Sequence, residues 1–223
     1  MIDKRVATIE DAVAGIRDGA TILIGGFGDT GTPFELIHAV LDTGVRDLVI
    51  VSNNAGNGYV GIAALLDADR VRKVVCSYPR SSDCVVIDKK FKEGKVEVEL
   101  VPQGTLVERM RCGGAGIHGF YTRTAAGTPL AEGKEERIID GVECVLEKPL
   151  RGDIALIKAA VADRWGNLVY SKTARNFNPI MATAADLTVV QAGWIAELGD
   201  LNPELVGTPG IFVDRVVAVG GTR

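Results

Sequence analysis

Histidine and paired cysteine are what this chain has least of. Its 223 residues include two histidines, His38 and His118, and four cysteines, Cys76, Cys84, Cys112 and Cys144, no two of them spaced as CxxC. That spacing excludes a zinc-ribbon layout and a disulfide framework as organising features. No apolar run approaches the ~20 residues a bilayer crossing needs, and the opening MIDKRVATIED lacks the apolar core of a secretory leader. A cytoplasmic location with no membrane partner is the expectation. A basic block is missing too: 25 Lys and Arg against 29 Asp and Glu leave a net charge of −4, which turns the reading away from nucleic acid. H-E-x-x-H, G-x-S-x-G and Walker patterns are all absent, and neither histidine stands beside a nucleophile in a motif. His38 is expected to face outward from a helix, and the cysteines read as buried neutral thiols.

Glycine is in excess, at 27 residues, about 12% against a usual ~7%. Either the turns are many and tight, or backbone comes close to a ligand. Strand and helix patterns alternate along the first half. Residues 8–17 read as a helix with Thr8 as cap, and the apolar run 20–24 reads as a buried strand. A second helix is expected to open with Thr32 as N-cap, Pro33 at its first position and Glu35 closing a capping box. Strands at 48–51, 73–76 and 96–101 alternate with helices at 60–66, 82–92 and 105–112. From Gly113 onward the Gly- and Thr-rich texture reads as loop around a short strand. Strands at 135–139 and 142–146 form a hairpin about Asp140-Gly141. A strand at 154–162, a helix at 178–184 and strands at 187–191 and 212–219 complete the chain. The expected fold is α/β, an open and mostly parallel sheet with helices on both faces, in one domain over residues 1–223.

The segment between the first strand and the second helix contains Gly26-x-Gly28-x-x-Gly31. It has the letters of a dinucleotide fingerprint, but at this glycine content the bare pattern is close to what chance provides. An NAD site also wants an acid at the end of the next strand. Ser52-Asn53-Asn54 stands there instead, and Asp47 starts that strand rather than ending it. Two readings stay open for the loop: a phosphate or other anion held by unsatisfied N–H groups, or a tight structural turn. Gln103 ends an expected strand, where its amide either donates to an oxyanion or caps local backbone. Asn53 and Asn54 share that geometry and that ambiguity. Glu108 with Arg111 or Arg109 reads as helix-surface charge. The Arg175–Pro179 turn either holds an anion or pins the fold through backbone bonds.

Taken together, the segments resemble the A (alpha) chain of the class I, two-subunit coenzyme A-transferases. DGATILIGGFGDTGTP matches the first signature of that family. VSNNAGNG, VRKVVCSYPR, VPQGTLVERMRCGGAGI, GNLVYSKTARNFNPIMATAA and TPGIFVDRVV follow at comparable spacing, from Gly19 to about Val217. The resemblance implies the alpha-subunit fold and ping-pong transfer of coenzyme A from an acyl-CoA donor to a carboxylate acceptor. It places the nucleophile, a glutamate in a Ser-Glu-Asn-Gly signature, in a separate B subunit; this chain does not contain that signature. Coenzyme A is then a substrate rather than a resident cofactor, no metal is implied, and the partner is a B subunit in a one-to-one or two-plus-two assembly. By the same resemblance Gly25, Gly26, Phe27, Gly28, Asp29, Thr30 and Gly31 face coenzyme A, Gln103 supports the oxyanion, and Asn53 and Asn54 lie towards the cleft. VRKVVCSYPRSSD and ADRWGNLVY are closer to the 3-oxoadipate transferases, which use succinyl-CoA. RCGGAGIHGF and ARNFNPIMATAA are equally at home in acetoacetate and short-chain fatty-acid transferases. Arg80 is the candidate cation for the second carboxylate of a dicarboxylic acceptor. A non-catalytic coenzyme A-binding protein is the alternative of another class.

Overall fold

A computed structural model describes residues 2–79 and 83–220. In chain order its elements are α1 (Ile9–Val13), β1 (Thr21–Ile24), α2 (Phe34–Thr43), β2 (Leu48–Asn54), α3 (Ile62–Asp67), β3 (Val71–Tyr78), α4 (Val85–Lys92), β4 (Glu97–Leu100) and α5 (Gln103–Ala115). The second half adds β5 (Phe120–Thr122), β6 (Glu136–Ile139), β7 (Val142–Glu147), β8 (Gly152–Asp163), β9 (Leu168–Val169), α6 (Asn178–Thr183), β10 (Ala185–Ala196) and β11 (Arg215–Ala218). Seven strands form one parallel sheet in the order β11-β10-β8-β1-β2-β3-β4, and short β9 joins β8 antiparallel.

Alternation along the central strands sorts the core into two layers. Ile22 and Ile24 of β1, Leu48 and Ile50 of β2 and Leu156 of β8 face α1 to α4, packing on Leu36, Ile37, Val40, Leu65 and Leu66. Leu23, Val49, Val51, Ala155 and Ile157 point the other way, onto Leu106 and Met110 of α5 and Met181 of α6. Leu23 is fully buried, so truncating it to alanine costs about 2–5 kcal/mol. The register Ile50↔Ile22↔Ile154 puts β1 at the centre of the sheet.

Three local expectations differ from the structure. The first helix ends at Val13, although Thr8 does cap it by accepting from the Asp11 amide at 3.1 Å. Thr32 does not cap α2: its hydroxyl turns back to donate to the Gly28 carbonyl at 3.1 Å. Glu35 closes no box either. Its carboxylate accepts from the side-chain amide of Gln191, while Gln191 Oε1 accepts from the Leu36 amide at 3.4 Å. A buried strand residue thus serves the helix start that a local cap would have served. Finally, α5 runs on through Gly113 and Gly114 instead of ending there. Those two positions are glycine because added Cβ atoms would stand 2.2 Å from the Leu150 carbonyl oxygen and 2.5 Å from that of Thr183.

The hairpin expected at Asp140-Gly141 is present, with positive φ at both residues (51° and 78°) as a type I′ turn requires. It belongs to a separate antiparallel sheet, β5-β7-β6. That sheet is tied down by the Lys134 ammonium on the buried Glu147 carboxylate at 2.5 Å. No helix among the described residues is long and apolar enough to cross a membrane.

Candidate active site

From β1 the sheet runs through β2, β3 and β4 in one direction and through β8, β10 and β11 in the other. The strand order therefore reverses between β1 and β8, and the crevice outside the carboxyl ends of such neighbours is where open α/β sheets take their ligands. The glycine loop, residues 25–31, leaves β1 at that point. Its first amide still follows the ladder, Gly25 N–H donating to the Leu156 carbonyl at 3.0 Å.

Phe27 and Thr30 then exchange both backbone hydrogen bonds, at 3.0 and 3.2 Å, closing a two-residue turn over Gly28-Asp29. Gly28 takes φ +58° there and has no atom within 4 Å of where a Cβ would be. The amides of Gly28 and Asp29 find no acceptor among the described residues. Gly25 and Gly31 are different. A Cβ on Gly25 would stand 2.0 Å from Asn178 Oδ1, and one on Gly31 2.6 Å from the Ala174 carbonyl oxygen. Close approach at these two positions is to the protein's own chain, which leaves the Phe27–Thr30 tip as the part open to a ligand.

Beneath that tip lies a cleft of about 500 Å³ lined by Phe27, Gly28, Asn53, Asn54, Asn57, Ser77, Tyr78 and Gln103. Asn53, Asn54, Ser77 and Tyr78 come from the ends of the adjacent strands β2 and β3, and Gln103 begins α5 rather than ending a strand. Gln103 Nε2 donates to Asn53 Oδ1 at 2.7 Å, and the Ser77 hydroxyl donates to the same oxygen at 2.8 Å. With Oδ1 doubly engaged, Asn53 Nδ2 and the second N–H of Gln103 have no acceptor among the described residues. Two amide donors beside one cleft are the equipment for stabilising a developing oxyanion.

Asn54 does humbler work: its Oδ1 accepts from the Gly56 amide at 2.9 Å in a turn, and its Nδ2 reaches the Gly28 carbonyl at 3.5 Å. Asn57 Nδ2 holds the Asp29 carboxylate at 3.1 Å, so the loop tip is tied from the β2 side. Phe27, 54% exposed, and Gln103 also border a second, apolar cavity of about 600 Å³, with Val107, Phe177, Ile180 and Phe212 among its walls.

Among the described residues, no aspartate, glutamate, histidine, cysteine or lysine lines the polar cleft. Cys76, next to Ser77, is buried, and burial pushes its thiol up to about 12, so it is neutral at physiological pH. His38 does not face outward as expected; its Nε2 accepts from the Gly61 amide at 3.0 Å, fixing the start of α3. His118 lies in an exposed loop. Glu108 and Arg111 form the expected surface pair at 2.7 Å, whereas Arg109 turns to Glu99 at 3.0 Å and to the Lys148 carbonyl. In the Arg175–Pro179 turn the two amides pin the fold, Asn176 and Asn178 bonding backbone of the glycine loop, while Arg175 is exposed. Arg80 lies outside the described residues.

Sequence patterns do not single out Ser77, Tyr78 or Asn57. A signal exists for two of them: once β2 and β3 are taken as parallel neighbours, residues 77 and 78 end beside Asn53 and Asn54, and the register pairs Asn54 with Tyr78.

A family model described as coenzyme A transferase matches residues 6–219. The chain is 58% identical over 221 residues to the A subunit of 3-oxoadipate CoA-transferase from Pseudomonas putida, covering 99% of this chain and 96% of that one. It is 54% identical over 222 residues to the chain of the same name in Acinetobacter baylyi, covering 100% and 97%. To the alpha subunit of acetate CoA-transferase from Escherichia coli it is 44% identical over 213 residues, covering 96% of each. Among solved structures, glutaconate coenzyme A-transferase from Acidaminococcus fermentans superposes with TM-score 0.86 at 20% identity, over 97% of this chain and 76% of that one. An acyl-CoA transferase from Escherichia coli, solved as a thioester complex with CoA, gives TM-score 0.84 at 22% identity over 97% of this chain. This chain spans 47% of that one, about half its length. At such identities the likeness is one of fold.

Proposed function

The chain belongs to the coenzyme A transferase family, as the A chain of a class I enzyme, and from that premise we propose that it forms half of an enzyme moving coenzyme A from succinyl-CoA to 3-oxoadipate. The observation that carries the reading is a cleft with free amide donors and, among the described residues, no carboxylate or thiol to act as nucleophile. The acceptor is supported by the 58% and 54% identical relatives, both named for 3-oxoadipate.

In this reading a glutamate supplied by the B subunit is the nucleophile that attacks the thioester carbonyl of succinyl-CoA. The tetrahedral oxyanion is received by Gln103 Nε2 and Asn53 Nδ2, which already sit in the cleft with donors to spare. Collapse expels the CoA thiolate and leaves a succinyl-glutamyl anhydride. The thiolate then attacks the glutamyl carbonyl, releasing succinate and giving a glutamyl-CoA thioester. The 3-oxoadipate carboxylate repeats the sequence in reverse, forming its own anhydride and taking coenzyme A from the thiolate. Gly28 and Asn54 flank the same cleft, with the glycine loop tip, residues 27–30, on its coenzyme A side. The exposed position of Gln103 leaves the cleft open to water in this chain alone. A covering B subunit would supply the nucleophile and exclude the water that would hydrolyse an anhydride. Arg80 remains the candidate for the distal carboxylate of the acceptor.

Reconstitution with a B subunit carrying the Ser-Glu-Asn-Gly signature tests the reading. Transfer from succinyl-CoA should require both chains and should run faster to 3-oxoadipate than to acetoacetate or acetate. Turnover by the isolated chain would overturn the division of labour. A faster acetoacetate reaction would overturn the acceptor, and no transfer with any acid would favour a coenzyme A-binding role.

A further inference from the structure

Asn178 is fully buried, and its carboxamide is bonded on both sides. Its Nδ2 donates to the Gly31 carbonyl at 3.1 Å and to the Ala174 carbonyl at 2.9 Å, while its Oδ1 accepts from the Lys158 amide at 2.9 Å. Lys158 N–H is the next donor along β8 after the position where Gly25 leaves the ladder. The side chain of Asn178 therefore takes the place a continuing β1 would have filled, and the glycine loop is turned off the sheet around it. Gly25 has no room for a Cβ because Asn178 Oδ1 is already there.

Two residues earlier, Asn176 has φ +21° and ψ −118°, a conformation that residues with a side chain rarely adopt. Such a backbone persists only where its surroundings over-determine it. Here Asn176 Nδ2 donates to the Thr30 carbonyl at 2.9 Å and to the Thr173 carbonyl at 2.9 Å, and its Oδ1 accepts from the Phe177 amide at 2.7 Å. The strained residue and the buried one grip the same seven-residue loop, at Thr30 and at Gly31.

The far end of α6 is fixed as firmly. Thr183 rests its carbonyl against Gly114 of α5, the helix whose first residue is Gln103. The six residues of α6 thus form a short rod, about 9 Å long, with the loop clamp at one end and the Gln103 helix at the other.

We propose that Asn178 and Asn176 are positioning residues that set where the glycine loop tip stands relative to Gln103, and so where the CoA thioester lies against the oxyanion donors. The assignment rests on the reading of the loop given above. Neither residue touches the reacting atoms; both act through Thr30 and Gly31. Asn178→Asp keeps the shape and the Lys158 bond but replaces both donated bonds with an oxygen facing two carbonyls. Asn176→Gly removes the tie to Thr30 while relieving the φ strain, so this variant keeps the route to a folded chain.

The experiment uses the assembled two-subunit protein. Hydrogen exchange of the Phe27 and Thr30 amides should quicken about tenfold or more in both variants, with the β1–β8 ladder amides unchanged. Misplacement on the order of an ångström is worth up to about 100-fold in catalysis. Accordingly kcat/KM for the CoA thioester should fall about 10- to 100-fold, with KM for the acceptor carboxylate within about twofold. Unchanged loop exchange in Asn176→Gly would overturn the proposal. So would parallel rises in both KM values with faster exchange throughout the sheet. The exchange measurement needs no turnover, so an inactive parent assembly would sink the transferase reading while the positioning role was still decided by the loop amides.

Discussion

Replacing Gly114 of α5 by alanine sets two effects of known sign against each other. In a helix interior alanine is favoured over glycine by about 1 kcal/mol. At residue 114, however, the new Cβ would stand 2.5 Å from the Thr183 carbonyl oxygen and 2.8 Å from its hydroxyl. Restoring a 3.4 Å contact requires α5 and α6 to part by about 0.9 Å. Overpacking costs about 1–3 kcal/mol, and a carbonyl that cannot rotate away belongs at the upper end. The net expectation is a loss of about 2 kcal/mol. For a chain of this length that lowers Tm by about 4–8 °C. Gly104 lies in the same helix with nothing within 4 Å of its Cβ position. Gly104→Ala should therefore melt at or slightly above the parent. Thermal melts followed by circular dichroism, at one protein concentration, read both variants. A Gly114→Ala chain melting with or above the parent would refute the argument that close helix approach chose glycine there.

Gln103→Ala removes a proposed oxyanion donor and leaves Asn53 Oδ1 with Ser77 alone. The assembled enzyme should lose about 10²- to 10³-fold in kcat, and a value within tenfold of the parent would remove Gln103 from that role. Burial pushes both the Cys76 thiol and the Tyr170 phenol, which is paired with Thr208, up to about 12. The unfolded chain releases those protons near about 8.5 and about 10, so the native state keeps protons that the unfolded state gives up. Their contribution is complete below about pH 8.5 and is lost as pH rises towards about 12. Urea midpoints should fall across that window, less steeply for the Cys76→Ala, Tyr170→Phe double variant; identical slopes would show that neither buried group governs alkaline stability.

What the sequence makes legible follows from how local the causes are. The β-branched run in β1 and β2 buries on both faces, and its pattern announces a parallel sheet before any contact is known. Asn53 and the loop tip follow from the rule that strand ends gather ligand groups, and Gln103 reaches the same cleft from the first residue of α5. The positions where pattern and structure part share a different cause. Thr32 and Glu35 have the letters of a capping box, yet the atom that serves the helix start comes from Gln191, more than 150 residues away. Gly113 and Gly114 look like a helix stop because glycine usually is one, and only the carbonyls of Leu150 and Thr183 explain them. Similarly, Gly25 and Gly31 suggest a ligand's approach, but the groups that approach are Asn178 at Gly25 and the Ala174 carbonyl at Gly31. In each case the deciding partner is a backbone or amide atom from a remote segment, and the local pattern does not encode it.

The central place of β1 also has a consequence for how the chain is made. One neighbour, β2, follows within 30 residues, while the other, β8, ends at Asp163. At about 5–20 residues per second of synthesis, roughly 5 to 22 s pass on the ribosome between the emergence of β2 and that of β8. Until β8 emerges, the side of β1 that it will cover has no partner strand. Truncated products ending before residue 152 should therefore be captured by chaperones or aggregate. Production of the intact chain should respond to translation speed across residues 116–151.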